Sequence, residues 1–121
     1  MNVDAQLKAW VEDLYFITET DEPWEMMYLS PESCDVSYWI ARGYQEIDWA
    51  LFWKPLTEEQ DWYEEVEKTQ AERYRTWVVG LEENSAEWFV VRKGDIQKEW
   101  MVVFQLLNGQ VIGCRTQGIE T

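Results

Sequence analysis

The segment Trp100-Met101-Val102-Val103-Phe104-Gln105-Leu106-Leu107 constrains the fold most, because it is apolar on both alternations. In a strand from Glu99 to Leu107, Trp100, Val102, Phe104 and Leu106 point one way while Met101, Val103 and Leu107 point the other. A strand buried on both faces needs cover on both faces. Asn108-Gly109 follows at once and is a strong hairpin signal, so Gln110 to Thr116 is expected to return beside it. Trp88 to Arg92 reads as the strand before it. With helical patterns elsewhere in the chain, the expected α/β architecture is a three-layer α/β/α sandwich around a largely antiparallel sheet.

Leu7, Trp10, Val11, Leu14 and Tyr15 form a helical stripe that Asn2 or Asp4 can cap. That helix should fail near Thr18, where Thr18-Glu19-Thr20-Asp21-Glu22-Pro23 is turn chemistry. Trp24 to Leu29 reads as a strand broken by Ser30-Pro31. A short helix is expected from Cys34 to Ala41, closing near Gly43, and another from Asp48 to before Pro55. Thr57-Glu58-Glu59-Gln60 has the form of a capping box. Behind it Val66, Gln70, Tyr74, Trp77, Val78 and Leu81 predict a long helix ending near Gly80 or a turn later. Glu58, Glu59 and Asp61 would then sit in its first turn, where the helix dipole favours them. No repeat or linker interrupts the 121 residues, and one domain spanning residues 1–121 is expected.

Twenty-four acids face 10 bases, for a net charge of -14 without histidine. The acids cluster. Lys8 is the only base in residues 1–32, and Lys68 the only one among the seven acids of residues 58–72. Nucleic acid and anionic membranes would be repelled, and a basic protein attracted. The plainer alternative is that the charge serves solubility. Nine tryptophans, six tyrosines and four phenylalanines argue for a folded core over disorder. Cys34 and Cys114 allow one bridge, but two free thiols are expected. No signal peptide or spanning segment is recognisable, so a cytoplasmic, soluble protein is expected.

Catalysis is poorly supported. The usual general base and zinc ligand are missing, and no phosphate loop, dinucleotide motif or nucleophile elbow appears. The chain is expected not to be an enzyme and to need no cofactor. Three places invite a binding role. One is Glu19 and Asp21 among hydroxyls in the connection before Trp24, against the reading that they are solvated loop acids. Another is Gln60-Asp61-Trp62-Tyr63, where Trp62 is either an interface anchor or a staple of the helix start onto the core. The last is the closing Glu120-Thr121, which sets a hydroxyl, a side-chain carboxylate and a main-chain carboxylate on one short finger. Such a finger can offer hard oxygen ligands to a cation or enter a basic pocket.

At these places the chain resembles the nuclease A inhibitor family, small acidic cyanobacterial-type proteins that block a sugar-nonspecific endonuclease. Phe16-Ile17-Thr18-Glu19-Thr20-Asp21 ahead of Pro23-Trp24-Glu25 is similar to that family's helix-to-strand loop. Asp61-Trp62-Tyr63-Glu64 is similar to the start of its long helix, and Gly109, Gly113, Thr116 and Glu120-Thr121 to its tail. The likeness runs over nearly the whole chain and is weakest from Ser33 to Pro55, around Trp39, Trp49 and Trp53. The resemblance implies an α/β/α sandwich that plugs a Mg²⁺-dependent nuclease. By that likeness Thr121 would approach the partner's metal in trans, Glu19 would follow the path of the acidic substrate, and Trp62 would pack beside the cleft. Asp21, Asp61 and Glu120 would flank them. The alternative is an acidic DNA-mimic or adaptor module that binds another basic protein without metal contact.

Overall fold

The structure, a computed structural model, describes residues 3–17 and 21–119. It is a mixed α+β fold with four helices, a five-stranded antiparallel sheet and a two-stranded one. Helix α1 spans Val3–Val11 and buries Leu7, Trp10 and Val11. It stops earlier than the apolar stripe predicts. Asp13 takes a left-handed φ of 56°, and the Leu14 N–H turns back to the Val11 carbonyl at 3.2 Å. Leu14 is still buried, so it keeps its place in the stripe without being helical. Asp4 lies inside the helix and is not its cap, while Asn2 lies outside the described residues.

The expected turn before Pro23 is instead partly strand. Strands β1 (Tyr15–Ile17) and β2 (Asp21–Pro23) pair antiparallel, with Ile17 opposite Asp21. Strand β3 (Glu25–Leu29) and a 3-10 turn at Pro31–Ser33 follow. Helix α2 (Val36–Ile40) is capped by Asp35, whose side chain accepts the Ser37 N–H at 2.8 Å. Strand β4 (Gln45–Ile47) was not legible as a strand. Helix α3 (Trp49–Thr57) is capped by Asp48, which accepts from Leu51 N–H at 3.0 Å. It does not end before Pro55, as predicted. Pro55 sits in its exposed last turn, where losing one N–H is tolerable, and the Thr57 hydroxyl donates to the Trp53 carbonyl at 3.0 Å.

Thr57 therefore closes α3 and opens no capping box. The long helix α4 runs Glu65–Asn84, with Glu64 as N-cap and its N–H bound to the Glu67 carboxylate at 3.1 Å. The box begins at Glu64 and not at Thr57, about two helical turns later in sequence than expected, leaving Glu58, Glu59 and Asp61 in the connection ahead of the helix. The helix passes through Gly80 because a close approach requires it there. A Cβ at that position would meet the Trp10 indole at 2.6 Å.

Strands β5 (Ser85–Gly94), β6 (Gln97–Leu106) and β7 (Val111–Ile119) complete the sheet, in the order β3-β7-β6-β5-β4. As predicted, β6 is central and buried on both faces. Trp100, Val102, Phe104 and Leu106 pack with α1, α3 and α4. Met101 and Val103 pack with Trp39 of α2 and with Tyr44, Phe89, Val91 and Val111. Leu107 is the exception, 72% exposed beyond the strand end. The β6–β7 connection spans 107–110. Gly109 takes a φ of 95°, and the Asn108 side chain accepts the Gln110 N–H at 2.9 Å. Among the described residues, no helix is long and apolar enough to cross a membrane.

Candidate binding site

The β1–β2 hairpin is fixed from below by aromatic packing. The Phe16 ring lies 4.7 Å from Trp100, 5.7 Å from Trp24 and 6.0 Å from Phe52. The Trp24 indole N–H donates to the Tyr74 hydroxyl at 2.8 Å, and that hydroxyl donates to the Tyr15 carbonyl at 2.6 Å. Gln70 on α4 accepts the Tyr15 N–H at 3.0 Å and donates to the Asp13 carbonyl at 3.2 Å. The Pro23 carbonyl accepts from the buried Thr116 hydroxyl of β7 at 2.9 Å. One helix and one sheet strand therefore hold both arms of the hairpin.

This anchoring positions the flanks of the sequence-predicted site. Asp21 is exposed and faces Ile17 across the hairpin, while Glu19, in the connection between them, lies outside the described residues. Glu120 and Thr121 also lie outside them. What leads to each group does converge. Glu22 of β2 shares a cleft of 270 Å³ with Gln117, Gly118 and Ile119 of β7 and with Lys98 and Glu99 of β6. The hairpin and the end of β7 thus meet at one edge of the molecule.

Trp62 and Asp61 belong to the connection between α3 and α4. The indole is 71% exposed, so it does not staple the helix to the core. Its ring stands edge-on to Tyr63 at 4.7 Å, and the Tyr63 N–H turns back to the Gln60 carbonyl at 3.0 Å. Arg75 of α4 braces the connection, donating to the Thr57 carbonyl at 2.7 Å and facing Glu59 at 3.7 Å. Trp62, Tyr15 and Phe16 line the same open groove, so the aromatic anchor candidate and the hairpin are neighbours. Asp61 is exposed to solvent in this connection.

Beside the hairpin a charged chain crosses the other face of the sheet. Arg115 donates to Glu25 at 2.7 Å and faces Glu99 at 3.7 Å, and Glu99 accepts from the Tyr44 hydroxyl. The bond to Glu25 pushes the Arg115 guanidinium further up, so it stays charged. Burial, then the bond to Glu99, pushes the Tyr44 phenol up. Sequence reading missed this network and the hairpin pairing. The aromatic and β-branched run Tyr15-Phe16-Ile17 was the signal for the hairpin, masked by a helical stripe running into it.

The two cysteines are free and belong to clusters on opposite faces of the sheet. Burial, with help from the Glu87 carboxylate 3.4 Å away, pushes the Cys34 thiol up to about 11. Burial alone raises Cys114. Among the described residues, no group of three or more His, Cys, Asp or Glu side chains is arranged to hold a metal ion.

The NuiA family model, described as nuclease A inhibitor-like protein, matches residues 1–121. No curated protein matches the chain.

Proposed function

We infer function from a plain premise: the chain belongs to the nuclease A inhibitor-like family, matched along its full length. Membership implies nuclease inhibition, and the chain is a binding protein, not an enzyme. In our reading the target is a basic, Mg²⁺-dependent, sugar-nonspecific endonuclease in the cytoplasm, and the inhibitor plugs its cleft. Glu19 satisfies a phosphate-binding group, Trp62 packs beside the cleft, and Thr121 approaches the metal. Asp21, Asp61 and Glu120 extend the acidic contact. We read α2 and the 3-10 turn as a reduced third layer of an α/β/α sandwich whose edge carries these groups.

The observation that carries the reading is the shared cleft between Glu22 of the hairpin and Gln117–Ile119 of β7. It brings the approaches to Glu19 and to Thr121 to one edge, as a plug for a single cleft requires. The chemistry is substrate mimicry. A nuclease cleft carries Lys and Arg for phosphates, and patterned carboxylates can engage those same groups. Plasmid cleavage by a metal-dependent nonspecific nuclease, with and without equimolar protein, tests it. Full cleavage at saturating inhibitor would end this reading.

A further inference from the structure

An open groove of 480 Å³ lies between α3, the 58–64 connection and the β1–β2 hairpin. Its floor is aromatic, formed by the buried Phe16, Phe52 and Trp100. Its walls include large apolar side chains left in water, Leu51 at 68% exposure and the similarly exposed Trp62. Apolar walls over an aromatic floor are what a buried anchor side chain needs from its receptor. The rim is predominantly acidic. Residues 58–67 contain six carboxylates and no base, and Glu67 itself lines the groove. Arg92 also lines it, but is already engaged within the chain.

We propose that this groove receives an apolar side chain of the nuclease, carried on a surface segment where lysine or arginine flanks it. The inference rests on the nuclease-inhibitor reading and adds to it a second direction of insertion, partner into inhibitor. The apolar residue fills the groove. Its basic neighbours meet the carboxylates of the rim, and an acidic or uncharged segment gains nothing there or is repelled. Trp62 then works as a wall of the receptor as well as an exposed contact.

The test compares Leu51→Arg, in the groove wall, with Val79→Arg, an equal charge change on exposed α4 surface away from the groove. Leu51→Ala, which only shortens the wall, is the milder variant. Circular dichroism checks that each folds. Nuclease affinity is measured alongside docking of a short amidated peptide with one leucine between lysines, and of its glutamate counterpart. Leu51→Arg should weaken nuclease binding about tenfold more than Val79→Arg. The lysine peptide should shift the Trp62 indole resonance and the glutamate peptide should not. If wild type inhibits and Leu51→Arg inhibits as well as Val79→Arg, the groove is unused and the nuclease reading stands. If wild type fails to inhibit but the lysine peptide docks, the nuclease reading falls and the preference of the groove stands. If neither binds, both fall.

Discussion

The indole N–H of Trp24 donates to the Tyr74 hydroxyl at 2.8 Å, joining the start of the main sheet to the middle of the long helix across fifty residues. The same hydroxyl donates onward to the Tyr15 carbonyl, so one oxygen serves strand β1, Trp24 and helix α4 at once. Burial pushes the Tyr74 phenol well up, and it remains a neutral donor. Tyr74→Phe keeps the ring and leaves a buried indole N–H and a carbonyl unpaired. It should cost about 1–3 kcal/mol in a urea titration. Because the lost bonds fix the hairpin, inhibition should weaken as well. Unchanged stability would mean the bond contributes nothing net.

Trp62 makes the opposite prediction. An indole 71% exposed has little core to lose, so Trp62→Ala should leave stability within about 0.5 kcal/mol. If it anchors the partner, the same change should cost about 2 kcal/mol of binding, roughly 30-fold in inhibition constant. A variant that loses stability and binding together would return Trp62 to a structural role.

These two aromatics mark where sequence reading worked and where it did not. The two-faced strand β6 was legible because both alternations of Trp100–Leu106 are apolar, a pattern with few solutions. The long helix was legible through Tyr74, Trp77 and Leu81 at helical spacing. Its start was not, because Thr57-Glu58-Glu59-Gln60 and the Glu64/Glu67 pair compete as caps, and in the fold Thr57 is taken up closing α3 while Arg75 braces the connection. The hairpin was lost for a related reason. Leu14 and Tyr15 continue the helical stripe in sequence, while left-handed Asp13 and the Gln70 side chain redirect the backbone. Trp62 and Asp61 stood out in sequence, but whether Trp62 faces core or water depends on the connection geometry, which no local pattern encodes.

The Cys34 thiol, raised to about 11 by burial and then by Glu87, should be a poor nucleophile near neutrality. Alkylation of native protein by iodoacetamide should stay slow at pH 8 and accelerate as pH rises through 10 to 11. Glu87→Gln removes the neighbouring charge and should shift that acceleration to lower pH. The linkage sign follows. A folded-state value raised above the unfolded thiol's stabilises below the unfolded value of about 8.5, and that contribution fades as pH rises through the folded value. Buried Cys114 should react only on unfolding. Rapid labelling of Cys34 at pH 7 would contradict the environment described.

Clustered carboxylates act at long range before any contact forms, which separates their effect from that of the proposed plug residues. Steering is screened beyond about 8 Å at physiological ionic strength. Raising salt should therefore slow association with a basic nuclease more than it speeds dissociation. Glu19→Ala and deletion of Thr121 should do the reverse. Each leaves most of the -14 charge in place but removes a contact made only in the complex, so dissociation should quicken while association changes little. Deleting Thr121 is the cleaner probe, because threonine is uncharged and its loss leaves the net charge as it was. Stopped-flow rates across a salt series, for wild type and both variants, separate the two contributions. If both changes leave dissociation untouched while salt still slows association, the charge is the whole mechanism. The acidic-mimic alternative then replaces the metal-directed plug.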